Sequence, residues 1–519
     1  MNNETMNNET MNNETMSHPP SAISHPPSAT SHQPSASRHV VIIGAGPAGL
    51  TAAWELVTRG IKVTVLEKYH LVGGIARTER YKNYYYDIGG HRFFTKVDEV
   101  NALWHTWMGD EMLLRPRISR IYYDGKFFDY PLRAFNALFN MGVGRSVVIM
   151  LSYVQYQLFP YQHEETFEQW VTNRFGKKLF EIFFKTYTEK VWGIPTSEIR
   201  AEWAAQRIKG LSLFQAIRNA IFKPRGEEIK TLIEEFYYPR RGPGMMWEKV
   251  VELIEARGSK VIVNADVVAI RRDGMRTTGV EAIIGGQRQF IAATDVISSA
   301  PITELVAMFD PAPPESIRAS IKHLSYRDFI TVVIILDKPD LFPDNWIYVH
   351  SPDVQVGRIQ NFGNWSPYMI PDPKTSCLGL EYFCSEGDEL WNMSDDDLLA
   401  LGIREIKSIG LHKDAQILDG TVMRQPKAYP IYDSVYAPHL ENVKKFLLSF
   451  ENFQTIGRNG LHKYNNQDHS MLTAILAVKN LIGDGVHDVW EVNTDRSYHE
   501  EVRASGKKVE EKPVDVLDA

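Results

Sequence analysis

Residues His39 to Glu67, HVVIIGAGPAGLTAAWELVTRGIKVTVLE, constrain the fold more than any other stretch. Val40 to Ile43 is a β-branched run of the kind that fills a buried strand. Gly44, Gly46 and Gly49 come next in G-x-G-x-x-G spacing. Leu50 to Arg59 then reads as a helix closed by Gly60, and Lys62 to Leu66 as a second strand ending in Glu67. Each part has a physical task. Gly44 permits a tight turn, Gly46 lets the backbone approach a pyrophosphate, and Gly49 lets helix and strand pack closely. The helix start presents free N–H groups and a positive dipole end to phosphate. A carboxylate about twenty residues on, here Glu67, accepts hydrogen bonds from ribose hydroxyls. A glycine triplet alone says little; strand, helix, second strand and terminal acid together predict a dinucleotide-binding βαβ unit.

The 519 residues suggest roughly two to four domain-sized units. At 44% hydrophobic and 23% charged, the chain carries enough apolar surface for a substantial core. A net charge of −7 gives no reason to expect a nucleic-acid partner. Cys377 and Cys384 are too few for a disulfide framework and lack metal-site spacing. They are expected as small buried side chains, with the reducing cytoplasm as compartment and no metal bound. Residues 1–37 repeat MNNET and then SHPPSAI-like units, too polar to offset the entropy of ordering, so an unstructured and dispensable tail is expected. They lack the basic start and apolar centre of a signal peptide.

Further along, Asp124-Gly125 between apolar runs predicts a hairpin. Residues 137–160 are apolar but interrupted by Asn140, Arg145 and Gln155. That excludes a run of about eighteen and favours a buried helix over a membrane-surface one. Residues 166–208 carry helical periodicity broken at Pro195, with Thr196 or Ser197 as cap of the next helical segment. Arg240 to Gly244 turns into a helix, and Val261–Val263, Val267–Ile270 and Val296–Ser299 read as strands. Residues 329–384 suit an antiparallel sheet roofing a pocket, with Arg358, Asn361 and Asn364 as lining or edge residues. Ser394 caps a helix to Ser408. Gln454 to Gly483 gives a strand ending at Gly457-Arg458, a loop, and a helix from near Asn466.

Several of these stretches resemble one family. LVGGIARTER resembles the second glycine motif of the FAD-dependent amine oxidase and protoporphyrinogen oxidase superfamily. Gly89-Gly90-His91, Tyr187 with KVWGIP, KAYPIY and GRNGLHKYNNQDHS resemble segments of its UDP-galactopyranose mutases, in the same order, over residues 39–483. The resemblance implies an α/β fold. A Rossmann-like FAD-binding domain is discontinuous over 38–115, 236–300 and 451–485. A substrate domain of helices and an antiparallel sheet covers 116–235 and 301–450, and a tail covers 486–519. FAD is expected against Gly44, Gly46, Gly49, Glu67, Lys68, Gly74, Arg77 and Gly90, the Val267 backbone, Gly457, Arg458, Asn466, Gln467 and Asp468. The helix start at these last three would face the electron-rich edge of the flavin. His91 would stand at the flavin's reacting face. Tyr187, Trp192, Tyr429 and Tyr464 would line the substrate pocket, with Arg358 or Lys338 meeting phosphate. Thr188 stands where the mutases carry asparagine, and Asp337-Lys338 where they carry a phosphate-clamping arginine. The implied activity is isomerisation of a nucleotide-linked sugar by reduced flavin, with NAD(P)H as candidate reductant. The rivals are a dehydrogenase, oxidase or desaturase of a lipid, porphyrin or amine, and a protein whose flavin is structural. Oligomeric state stays open, and a membrane partner is not expected.

Overall fold

The computed structural model describes residues 38–130, 132, 134–201 and 235–493. The repeat tail, residues 202–208 of the expected helical run and the chain after 493 lie outside the described residues.

The strand His39–Ile43 pairs in parallel with Lys62–Leu66 on one side and Asp295–Ser298 on the other. Lys260–Ile262 and Phe453–Thr455 complete this five-stranded parallel sheet at its two edges. Val40, Val41 and Ile42 are fully buried, as a parallel strand covered on both faces requires. The helix Pro47–Val57 begins on Pro47, whose missing N–H costs nothing at a helix start. It packs against the helices Pro243–Glu255 and Gln467–Ile482. The second of these is capped by Asn466 and ends at Gly483, as the sequence predicts.

A seven-stranded sheet faces this unit. Its order is Ile417–Pro430, Tyr326–Leu336, Ser376–Cys384, Arg358–Asn361, Trp346–Val349, Ser119–Tyr123 and Lys126–Asp129. It is antiparallel except where Trp346–Val349 runs parallel to Ser119–Tyr123. Asp124 and Gly125 both adopt positive φ, the two-residue hairpin expected from their sequence. Strand period sorts the central residues. Val332, Ile334, Leu378 and Leu380 pack toward Leu398 and Ile406 of the helix Asp395–Ile409. Phe329, Val333, Cys377 and Phe383 join an aromatic core on the other face. Both cysteines are free and buried, and burial raises both thiol pKa values, Cys384 to about 12.

That aromatic core is closed by helices. Thr166 and Gln169 form a reciprocal capping box at the start of Phe167–Phe175. The chain then runs through Lys177–Phe180 and a wide π turn, Glu181–Lys185, into Thr186–Trp192. Two expectations are corrected. Neither Thr196 nor Ser197 caps a helix. The Thr196 N–H and hydroxyl both donate to the Glu189 carboxylate at 3.2 Å, because Glu189 in the preceding turn reaches back over the break. Residues 137–160 form parts of two helices, Ala134–Met141 and Val143–Leu158, divided at Gly142 with φ 81°. Only one face of the longer helix is buried, around Ile149, Ser152 and Tyr153; apolar residues such as Leu151 and Leu158 stand on the exposed side. Among the described residues, no helix is long and apolar enough to cross a membrane.

Candidate active site

A cavity of about 1250 Å³ lies between the carboxyl ends of the parallel strands and the aromatic core. Ile43, Gly44, Leu66, Glu67 and Ser299 line one end of it, beside the parallel strands. The three glycines differ in role. Gly44, at φ 96°, makes the turn and donates to the Leu66 carbonyl at 2.8 Å. Gly49 lies behind the cavity wall; a Cβ there would stand 1.8 Å from the Gly44 carbonyl oxygen. A Cβ on Gly46 would meet nothing closer than the Gly74 backbone at 3.6 Å, an ordinary contact. The protein's own packing would accept a methyl at 46, where Gly46 lines the cavity at a helix start. Glu67 accepts the Ala45 and Tyr69 N–H groups at 2.7 and 2.8 Å, yet burial still raises its carboxyl. Lys68 and Val267 line the same end, Lys68 pairing with Asp266 at 3.5 Å. Gly74 and Arg77 also line it, but Arg77 builds wall. Its guanidinium donates to Glu79, Gly74 and Gln425.

The start of the helix Gln467–Ile482 enters the cavity from the opposite side through Asn466, Gln467 and Asp468. Gln467 accepts from the Trp247 indole at 3.2 Å, and its buried Nε2 has no hydrogen-bond partner. Gly457 donates to Thr473, and Arg458 donates to the Ala428 and Asn465 carbonyls while stacking on Tyr429 and Tyr464. Two helix N-termini and an orphan amide donor around one void suit an electron-rich, phosphate-bearing group.

Gly90 and His91 sit between these ends. The accessible surface of His91 faces the cavity. Burial first, then the Arg458 and Arg358 charges, push its imidazole down to about 3, so the ring is neutral at physiological pH. Its Nδ1 is buried without a partner. Beyond it is an aromatic box. Tyr187 stacks on His350 at 4.7 Å and meets Tyr348 edge-on at 5.5 Å. Tyr429 and Tyr464 stack at 5.6 Å, and Trp192 approaches both. Arg358 faces the box, but its guanidinium is already held by Glu381, with Nε at 2.6 Å; Glu381 also accepts from Gln360. Lys190, at the end of the helix Thr186–Trp192, donates to the carbonyls of Val349, Ser351 and Val356.

The structure thus gathers the expected residues around one cavity, with Gly49 behind its wall, and corrects three placements. Lys338 does not line the cavity. It lies beyond Leu336, where its strand ends, and its exposed amine donates to the Lys413 carbonyl. Asn361 and Asn364 are not lining residues either. Asn361 is buried, and Asn364 donates to the Phe342 and Asp344 carbonyls. Sequence reasoning missed Glu381, Tyr348 and His350. A lone carboxylate within the apolar run CLGLEYFC is a signal for Glu381, since a buried charge needs a partner. Its partner emerges only from register, which sets Arg358 opposite Glu381.

Comparison with known proteins agrees with this geometry. The model of the flavin containing amine oxidoreductase family matches residues 47–433, and the chain belongs to that family. A probable UDP-galactopyranose mutase of Klebsiella pneumoniae is 27% identical over 177 residues, 31% of this chain and 43% of that protein. An L-amino acid oxidase of Crotalus durissus cumanensis is 53% identical over 58 residues, 11% of this chain and 12% of the oxidase. The chain therefore spans less than half the length of either relative. The crystal structure of reduced UDP-galactopyranose mutase superposes with a TM-score of 0.76 at 20% identity, over 89% of this chain and 100% of that one. At that identity the likeness establishes the fold.

Proposed function

We propose that the cavity holds FAD and that the enzyme isomerises a nucleotide-linked sugar with the flavin reduced. The observation that carries this reading is the meeting of neutral His91 with the Tyr187, Trp192, Tyr429 and Tyr464 box in a cavity that also reaches both helix starts. Gly46 and the N–H groups after it would hold pyrophosphate, Glu67 the ribose, and the Val267 backbone the adenine. Reduced FAD would supply an electron-rich nucleophile that is recovered in each turnover, with NAD(P)H as its first reductant. The aromatic faces would stack on base and sugar. Phe183, Phe184, Phe329 and Phe383 line the same cavity and would exclude water from the reacting face. His91 would offer one hydrogen bond there without adding charge. The free buried cysteines suit a reducing cytoplasm.

One observation favours a second reading. Glu381 neutralises Arg358, Arg77 and Arg458 donate to neighbouring protein groups, and Lys338 lies outside. Arg92, Lys96 and Lys427 also line the cavity. Of the cations expected to meet phosphate, only Arg358 remains at the cavity, and a diphosphate there would share it with Glu381. An uncharged or apolar substrate would not, which suits an oxidoreductase of a lipid, porphyrin or amine. The deciding experiment incubates anaerobically reduced protein with nucleotide sugars and tracks product by NMR. An isomeric product with no net consumption of reductant supports the first reading. An oxidised product with stoichiometric peroxide or reduced acceptor in air overturns it in favour of the second. A colourless protein that takes up no FAD removes both.

A further inference from the structure

The strand Ile417–Pro430 bulges where it borders the cavity. Arg327 pairs with Tyr429 and Phe329 with Gln425, so Pro426, Lys427 and Ala428 together oppose the single residue Asp328. A bulge beside a site re-aims a side chain. Lys427 sits at φ 53°, a left-handed conformation that a lysine keeps only where its surroundings impose it. Here they do. The carboxylate of buried Asp328 accepts the Lys427 N–H at 2.6 Å, and the Asn459 amide donates to the Lys427 carbonyl at 2.8 Å. Arg458 holds the next carbonyl, that of Ala428, at 2.9 Å. The bulge sets the Lys427 amine against the carboxylate of Glu304, on the helix Ile302–Ala307, and both residues line the cavity.

We infer that Lys427 is a specificity-determining cation of this site: its amine leaves Glu304 and meets the diphosphate of the substrate, a role that rests on the nucleotide-sugar reading above. The Arg358 and Lys427 ion pairs differ in what it costs to open them. Arg358 is 17% exposed and Glu381 fully buried, so drawing Arg358 to another anion strands a buried carboxylate. Lys427 and Glu304 are 30% and 38% exposed, so water and salt already screen their attraction, and water covers Glu304 when the amine leaves. Lysine also suits an exchange of partners, being a point charge on a flexible stem. Arg77 and Arg458 do not take this part, since carbonyls and side chains of the wall hold both guanidinium groups. Glu304 keeps the amine in place until an anion arrives, so binding swaps one anion for another. A neutral or cationic substrate gains nothing from that swap, and the pair thereby selects for phosphate.

Isothermal titration calorimetry of the full flavin-loaded protein with UDP and with uridine tests this, since the two probes differ only in the diphosphate. Lys427→Met should weaken UDP by about tenfold or more, the loss of one charge-assisted contact, and leave uridine unchanged. Its remaining UDP affinity should fall less steeply with salt than that of the wild type. Lys427→Arg should restore most of the UDP affinity. Glu304→Gln removes the competing carboxylate and should tighten UDP, and it carries the test if Lys427→Met does not fold. Equal losses of UDP and uridine in Lys427→Met make the lysine structural and overturn the inference. Loss of flavin absorbance in that variant gives the amine to the pyrophosphate of FAD and overturns it too. A wild type that binds UDP, with Lys427→Met and Glu304→Gln binding it equally well, refutes the lysine's role alone. A wild type that binds neither probe refutes the nucleotide-sugar reading with it.

Discussion

The glycines at 46 and 49 make opposite demands on a methyl group. At Gly49 the methyl collides with the Gly44 carbonyl oxygen at 1.8 Å, so backbone must move. Gly49→Ala should destabilise the flavin-free protein by about 1–3 kcal/mol or more and abolish flavin binding. Gly46→Ala should melt like the flavin-free wild type and still bind no flavin, because only the occupant meets that methyl. Melting curves with and without flavin, beside visible absorbance, separate the two. Arg358 and Glu381 obey a different rule. Glu381→Gln leaves a buried guanidinium uncompensated, with an expected cost of about 3–5 kcal/mol, whereas Arg358→Met with Glu381→Gln should recover much of it. Denaturant titration of the three proteins measures the coupling, and additive losses would sink it. The glycines and Glu67 were legible because their roles depend on neighbours within about thirty residues. Lys338 was misread because its distance from the cavity depends on where a strand ends.

Within the elements, the lysine of the KVW segment acts as a clamp. The Lys190 amine joins the end of the helix Thr186–Trp192 to three carbonyls between Val349 and Val356, beside His350. Lys190→Met should cost about 1–3 kcal/mol and leave those acceptors unmet. Hydrogen exchange should quicken across residues 349–357, and unchanged protection there would refute the clamp. Thr166→Ala, which opens the capping box, should cost about 1 kcal/mol by the same denaturant measurement. Element ends were readable where a local device sets them, as with the Asp124-Gly125 hairpin or the Asn466 and Gly483 boundaries. The Thr196 tie to Glu189 was not, because either a cap or a tie-back satisfies a threonine after a helix break. The double-faced helix Val143–Leu158 was read as buried because apolar content does not say on which side the core lies.

At the scale of the whole molecule, acid should unfold the protein through its histidines. Burial pushes His91 and His350 down to about 3 and His462 to about 4. Unfolded imidazoles titrate near ~6.5. Between these values the unfolded chain binds protons that the folded chain refuses, so stability is full above pH ~6.5 and falls as pH drops toward 4. Asp87 works against this. Burial raises its carboxyl to about 7, despite donors from Tyr238 and Thr78, so it stabilises at low pH and loses that contribution as pH rises toward 7. Burial also raises the Glu67, Glu248 and Asp328 carboxyls, which act with Asp87 but less strongly than the three imidazoles act against it, so melting temperature should drop on acidification. Asp87→Asn should steepen the drop, and His350→Gln with His462→Gln should flatten it. A melting temperature level from pH 7 to 4 would refute the balance. The half built on the parallel sheet was legible because one continuous βαβ unit defines it. The half built on the seven-stranded sheet and helices was not: its contacts, such as Tyr187 on His350, join residues far apart in sequence, and only strand register brings them together.

The parallel sheet has one further consequence. Its edge strand Phe453–Thr455 and the neighbouring Gly457 come late in the chain, while the strand and helix they complete begin at His39 and Pro47. During synthesis the ribosome exposes Val40 to Ile43 and the apolar helix face long before their last neighbours exist. Gly457 and the start of the helix Gln467–Ile482 complete the cavity, so the proposed flavin site closes only once the nascent chain has passed them.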